Sequence, residues 1–251
     1  MSPITELVLQ STWETVVMVF FSTLFAVLLG FPLGIFLFVT SPRGIAPKIV
    51  PYQLISRIVN TLRSFPFVIL MIVMFPLSRV VLGTAIGTEA TIIPLSVAAA
   101  PFIARLTETA LNEVDKGVIQ AAVAMGASKR QVVRKVMIPE ALPSIISGIT
   151  LTIITLIGYS AMAGAIGGGG LGDLAIRYGY QRFRTDVMIE SVVIIIVMVE
   201  VIQFLGNKAA ALVAKYPLGS FGRSKKSSDL INVAFFCQQR MALQKNQSEK
   251  R

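Results

Sequence analysis

The stretch Thr15–Val39, TVVMVFFSTLFAVLLGFPLGIFLFV, contains 25 residues and no charged side chain. A helix needs about 20 such residues to cross the hydrocarbon core of a bilayer, because lipid offers the backbone no hydrogen-bond partner. A second charge-free run covers Leu142–Ile166. These two runs predict that the chain folds as a helical membrane protein.

Three further apolar segments lie outside these two runs. They are Ser64–Ser78, Ala90–Ala104 and a segment from about Val187 to Gly206. Only 14% of the residues are charged, against about 25% in a typical soluble domain. The predicted fold class is therefore an all-α membrane protein with about five transmembrane helices.

The residue types exclude several kinds of chemistry. The chain has no histidine and a single cysteine, Cys237, so histidine acid–base catalysis, histidine-ligated metals and intrachain disulfides are excluded. Gly167, Gly169 and Gly172 match the dinucleotide pattern GxGxxG, but a membrane helix precedes them where that motif needs a strand. No phosphate loop of the form GxxxxGK[ST] occurs. We therefore expect no enzyme activity, no metal and no cofactor in this chain.

Basic residues set the expected orientation in the membrane. The formal net charge is +10, and the lysine and arginine residues lie between and after the apolar runs. In membrane proteins, loops rich in lysine and arginine stay on the cytoplasmic side. With the N-terminus outside, nineteen basic residues fall on the cytoplasmic side and four on the external side. The N-terminus is therefore predicted outside and the C-terminus inside. Membrane orientation therefore explains the positive charge of the chain better than nucleic-acid binding does.

The same reasoning divides the chain into three parts. Residues 1–14 are expected to form an external N-terminal segment, and residues 15–206 the transmembrane domain. Residues 207–251 are rich in glycine, serine, lysine and other polar residues, which predicts a largely disordered cytoplasmic tail. The largest cytoplasmic loop, about 107–141, lies between the third and fourth spans.

This loop carries the most informative pattern in the sequence. Its small residues, QAAVAMGA at 120–127, suggest a helix and its end, and KRQVVRKVM at 129–137 suggests a second, basic helix. Proline cannot donate a helical hydrogen bond, so the second helix is predicted to stop at Pro139. An alanine-rich helix lying on the membrane is the plainer interpretation of the first segment.

The spacing of this loop resembles that of permease subunits of ATP-binding-cassette (ABC) importers. Their pattern is EAA, three residues, Gly, nine residues, then Ile-x-Leu-Pro. This chain matches with Gln120-Ala121-Ala122, Gly126 and Pro139, but has Gln120 where the family usually has Glu, and Val136 and Ile138 as conservative apolar replacements. The resemblance implies the type I ABC importer permease fold and a coupling helix that docks in a cleft of a cytoplasmic ATPase. The implied coupling residues are Gln120, Ala121, Ala122, Met125, Gly126, Ala127 and Pro139.

A narrower resemblance, to methionine-uptake permeases, extends from about Glu14 to Gly206. It rests on the segments FVTSP at 38–42, RSFPF at 63–67, AAPFIAR at 99–105 and GYSAMAG at 158–164. It implies a bacterial inner-membrane homodimer that carries methionine, in the L form and with the D form as a further candidate, together with two ATPase subunits that bind ATP and magnesium. It also implies an external substrate-binding lipoprotein.

Two groups of residues are candidates for the transport path. The polar and flexible residues of the fourth span suit transient passage of a small zwitterion, although helix-to-helix packing explains them equally well. The candidates on the fourth span are Tyr159, Ser160, Met162 and Gly164. The glycine run that follows is the candidate flexible outer gate, formed by Gly167, Gly168, Gly169 and Gly170.

Other functions stay open at this point. The chain could serve another amino acid or a small polar solute, because an external binding protein largely sets selectivity. In a different class, it could be a membrane scaffold or sensor that recruits a cytoplasmic partner through the loop. Transport that depends on a partner ATPase would separate the importer from the scaffold.

Overall fold

The structure, a computed structural model, describes residues 3–215 and contains helices throughout that range. The predicted tail beyond residue 215 lies outside the described residues. The α-helices are α1 (Pro3–Thr40), α2 (Ile49–Ser64), α3 (Phe67–Leu82), α4 (Thr88–Asn112), α5 (Lys116–Ala124), α6 (Lys129–Gln131), α7 (Ile138–Gly164), α8 (Gly170–Leu174) and α9 (Thr185–Lys215). Two π-helical segments, Val132–Met137 and Ala175–Tyr180, follow α6 and α8.

Four helical segments in the described range are long and apolar enough to cross a membrane, and a fifth span exists if α2 and α3 count as one. The predicted all-α fold with about five spans is confirmed. The first helix is longer than expected, because it begins at Pro3 rather than near Thr15. Residues 207–215 likewise continue α9.

Helices α1 and α4 form the largest interface between elements. Gly30 and Gly34 of α1 face the backbone carbonyl groups of Ala100 and Ala104 on α4. A Cβ atom at Gly34 would lie 2.5 Å from the Ala104 carbonyl oxygen. In lipid, where helices gain little by hiding apolar surface from water, such close backbone approach supplies the packing contacts. The GxxxG spacing of the sequence therefore acts in helix packing.

We expect Gly34→Val to lower the stability of the protein by about 1–3 kcal/mol, because the new side chain has no space against α4. Gly158→Val on α7 is the matched control, since no described atom lies within 4 Å of its ideal Cβ position. Thermal denaturation of the detergent-solubilised variants measures the difference. Equal apparent midpoints for the two variants would show that the α1–α4 interface tolerates the side chain.

One proline inside α4 is accommodated by a hydroxyl group on a neighbouring helix. Pro94 has no N–H, so the carbonyl of Ala90 one turn earlier loses its helical partner. The hydroxyl of Ser78 on α3 donates to that carbonyl at 2.8 Å and is fully buried. A freed carbonyl inside a membrane protein needs such a replacement. The Ser78–Ala90 hydrogen bond therefore ties α3 to α4 one turn before Pro94.

Between the first two predicted spans, Ile49–Ser64 forms the helix α2, which meets α3 at a bend of 107°. One local expectation was wrong. The basic helix does not stop at Pro139, because α6, the π-helical segment and α7 run without a break from Lys129 to Gly164. The N–H of Ile138 donates to the carbonyl of Val133, five residues back. This wider turn, just before the proline, lets the helix continue.

Candidate functional site

The α5 helix and the turn after it form a corner between α4 and the helix that begins at Lys129. Asp115 caps the start of α5 by accepting a hydrogen bond from the N–H of Gly117 at 2.5 Å. Ser128 and Gln131 form a capping box at the start of α6, each side chain accepting from the other residue's backbone N–H. Both helix starts are thus fixed by their own side chains.

The end of α5 is a Schellman turn. The N–H of Ala127 donates to the carbonyl of Ala122 at 3.1 Å, and the N–H of Gly126 donates to that of Val123 at 2.9 Å. Gly126 has φ +82°, in the left-handed region that other residues rarely adopt. Glycine at this position therefore allows the chain to turn sharply out of α5.

The corner, defined here as residues 120–127, exposes a mixed apolar surface. Ala122 is buried and packs in a cluster with Leu111, Val132 and Met137. On the other side, Val123 is 57% and Met125 67% exposed. The Met125 side chain is flexible and polarizable, and suits an adaptable apolar contact. The corner is packed on its inner face and leaves its outer face exposed.

The predicted coupling residues do not all share this surface. Gln120, Ala121, Met125 and Gly126 lie together on the exposed side of the corner. Ala122 points into the core and Ala127 is half-buried. Pro139 lies in the first turn of α7, beyond the π-helical segment, where it is half-buried. This position indicates that Pro139 acts where the π-helical segment continues into α7, and not at the exposed corner.

A cavity of about 390 Å³ lies between α4, α7 and the end of α2. Its aromatic and basic lining consists of Arg63, Phe102, Arg105 and Tyr159. The Tyr159 ring stacks on Phe67, with centroids 4.2 Å apart and planes within 5°. Such stacking contributes roughly 0.5–1.5 kcal/mol beyond area burial and fixes the ring.

Of the four residues predicted to line the path, the structure brings only Tyr159 into the cavity lining. Ser160 is buried, and its hydroxyl donates to the carbonyl of Ile157. Gly164 packs directly against the backbone of Gly172 and Asp173. Met162 is 51% exposed on the outer part of α7. Ser160 and Gly164 thus have packing roles here.

The glycine run from 167 to 170 is held by α1 and by the start of α4. The N–H of Gly87 donates to the carbonyl of Gly167, the N–H of Gly170 to the carboxylate of Glu14 at 2.9 Å, and the N–H of Leu171 to Thr15. Gly167, Gly169 and Gly170 all have φ between +76° and +88°. Any opening of this loop would have to break its contacts with α1.

For the outer gate we keep the hypothesis that the loop moves during transport. We expect the double variant Gly168→Val, Gly169→Val to take up substrate poorly while still assembling with its ATPase. A side chain at 169 would meet Thr88 and Glu14, and its left-handed φ disfavours valine. Gly83→Val has a similar φ of +77° in open space and controls for backbone strain. Normal uptake by the double variant would reject the gate.

The structure also contains a buried polar network that the sequence reasoning missed. Arg105 and Glu108 of α4 form an ion pair at 2.6 Å, with side-chain exposures of 18% and 8%. Arg105 also donates to Ser56 and Asn60 of α2, and the Tyr52 hydroxyl donates to Glu108. Tyr52, Ser56 and Asn60 recur every four residues, the spacing of one helix face. This spacing indicates a polar face on α2, but it does not identify Arg105 and Glu108 of α4 as its partners.

The comparisons with known proteins agree with this geometry. The sequence profile of the family described as "Binding-protein-dependent transport system inner membrane component" matches residues 30–215. The chain belongs to this family. It is therefore a permease component of a binding-protein-dependent ABC importer, a multi-pass protein of the cytoplasmic membrane, and a transport subunit rather than an enzyme.

Two curated relatives in this transport family illustrate the similarity. The chain is 46% identical over 202 residues to the probable D-methionine transport system permease protein MetI of Vibrio cholerae, covering 80% of this chain and 90% of that protein. It is 49% identical over 162 residues to the D-methionine transport system permease protein MetI of Escherichia coli K12, covering 64% and 75%.

A solved structure supports the fold of this importer subunit. The chain superimposes on a chain of the MetNI methionine ABC transporter in an inward-facing conformation with a TM-score of 0.83 and 46% identity. The match covers 85% of this chain and 99% of that one. The expected type I importer permease fold is confirmed.

Proposed function

We propose that this permease carries methionine into the cell. The observation that carries the proposal is the identity of 46–49% to permeases named for D-methionine transport, which extends over most of the membrane-spanning region. The cavity on α4 and α7 supports it, because aromatic and threonine side chains suit a small amino acid with an apolar side chain. The experiment below also determines whether the L or the D form is preferred.

The partners follow from the same proposal. The coupling corner, with its exposed Val123 and Met125, is the surface that docks in a groove of a cytoplasmic ATPase. That ATPase binds ATP and magnesium, and two copies serve a homodimer of this chain. An external substrate-binding lipoprotein delivers the substrate at the opposite side of the membrane.

Growth of a methionine auxotroph tests the substrate. The host strain lacks its own methionine importers and produces this chain together with its ATPase and binding protein. We expect growth on limiting methionine, with the L and D forms supplied separately to establish the preference. Growth no better than that of the empty strain, while the assembled complex is present in the membrane, would rule out methionine as the substrate.

A further inference from the structure

Arg63 lies at the wall of the 390 Å³ cavity without a carboxylate partner in the described range. It occupies the last turn of α2, just before the 107° bend into α3. Its guanidinium group lies 5.0 Å from the centroid of the Phe102 ring. This position leaves its N–H groups available to an anion.

Arg105 lines the same cavity but is already engaged. Its guanidinium donates to the carboxylate of Glu108, to Asn60, and to both the hydroxyl and the carbonyl of Ser56. A second anion at Arg105 would have to displace those hydrogen bonds. The two arginines of the cavity therefore differ: Arg105 joins α2 to α4, whereas Arg63 can bind a ligand.

Threonines on the α7 wall complement a positive group. The hydroxyl of Thr152 donates to the carbonyl of Gly148 at 2.9 Å, and that of Thr155 donates to the carbonyl of Leu151 at 2.9 Å. Each hydroxyl has a single proton, so both oxygens are left as acceptors. An ammonium group, which only donates, fits acceptor oxygens of this kind.

We propose that this cavity is a binding site for an α-amino acid inside the membrane domain. Arg63 binds the carboxylate, the hydroxyl oxygen of Thr155 accepts from the ammonium group, and the rings of Phe102 and Tyr159 contact an apolar side chain. This inference rests on the proposed function and adds to it a recognition site on the permease itself, separate from the external binding protein. Affinity is low, because a transport site must release its ligand.

The test uses the single cysteine of the chain, Cys237. In a Cys237→Ser background, Thr109→Cys places a thiol at the cavity lining. The assembled complex is placed in lipid nanodiscs without nucleotide or binding protein, and the rate of maleimide labelling is measured. We expect methionine to slow labelling about tenfold at saturation, by mass action. Leu151→Cys, also in the lining, provides a second labelling position.

Recognition of the carboxylate is tested with methionine amide, which has the same side chain and ammonium group but no carboxylate. Loss of a charge-assisted hydrogen bond should raise the ligand concentration needed for protection about tenfold to a hundredfold. Arg63→Gln should make methionine and its amide protect equally weakly. Arg57→Gln, an exposed change on α2 outside the cavity, should leave the difference between them intact.

The outcomes separate this site from the substrate assignment. If another amino acid protects the thiol through Arg63 and methionine does not, the site stands and methionine is the wrong substrate. If methionine is imported normally but neither labelling position is protected, the importer assignment stands and the site is wrong. Equal protection by methionine and methionine amide in the parent protein would also overturn the role of Arg63.

Discussion

Gly126→Trp is expected to abolish ATP-driven uptake and to release the ATPase from the complex. The indole would project from the exposed corner at the position where we place the partner's groove. Gly126 also has φ +82°, which costs a residue with a side chain about 1–2 kcal/mol. A clash at the centre of a docking surface costs at least about 2 kcal/mol, or about thirtyfold in affinity. Co-purification of the ATPase with the affinity-tagged permease measures this loss.

Gly83→Trp is the matched control for this experiment. Gly83 has φ +77° at the end of α3, and like Gly126 it has no described atom within 4 Å of its ideal Cβ position. The two variants therefore share the backbone strain and the bulk, and differ in location. We expect Gly83→Trp to keep the ATPase. Equal retention of the ATPase by both variants would place the docking surface elsewhere.

Glu108→Ala is expected to destabilise the protein by about 3 kcal/mol. The change leaves the Arg105 guanidinium, which is only 18% exposed, without its charge partner at 2.6 Å. Removing one member of a buried ion pair typically costs about 3–5 kcal/mol. The lower value applies because Arg105 keeps its hydrogen bonds to Ser56 and Asn60. The apparent midpoint of thermal denaturation in detergent measures the change.

Two further variants distinguish the ion pair from simple packing. Tyr52→Phe removes a single hydrogen bond to Glu108 at 3.2 Å and should cost only about 1 kcal/mol. The double variant Arg105→Met, Glu108→Leu removes both charges and should recover much of the stability lost in Glu108→Ala. A double variant less stable than Glu108→Ala would show that the charges are needed for more than mutual compensation.

The long helices could be predicted because their cause lies in the sequence itself. Runs such as Thr15–Val39 have to form helices in lipid, where every backbone group must find an internal partner. The close packing at Gly34 agrees with the spacing of Gly30 and Gly34, because small residues four positions apart let helices approach closely. The helix end at residues 120–127 could be predicted from Gly126 and the small residues before it, since its turn geometry depends on local residues.

Other features depend on contacts between distant segments and could not be predicted in this way. The third apolar segment was predicted to end at Ala104, just before Arg105, and Glu108 fell in the cytoplasmic loop predicted at about 107–141. The structure instead extends α4 to Asn112 and neutralises both side chains against α2. The continuation of the helix through Pro139 likewise depends on a π-helical segment that proline rules alone do not indicate.

We propose that this chain imports methionine by coupling to an ATPase through the corner at residues 120–127. The most direct test is uptake of labelled methionine into vesicles that contain the permease, its ATPase and its binding protein, with ATP on the ATPase side. We expect ATP-dependent accumulation of methionine that is lost in Gly126→Trp and kept when another amino acid is added in excess. Vesicles that hydrolyse ATP normally but accumulate no methionine would exclude methionine import by this chain.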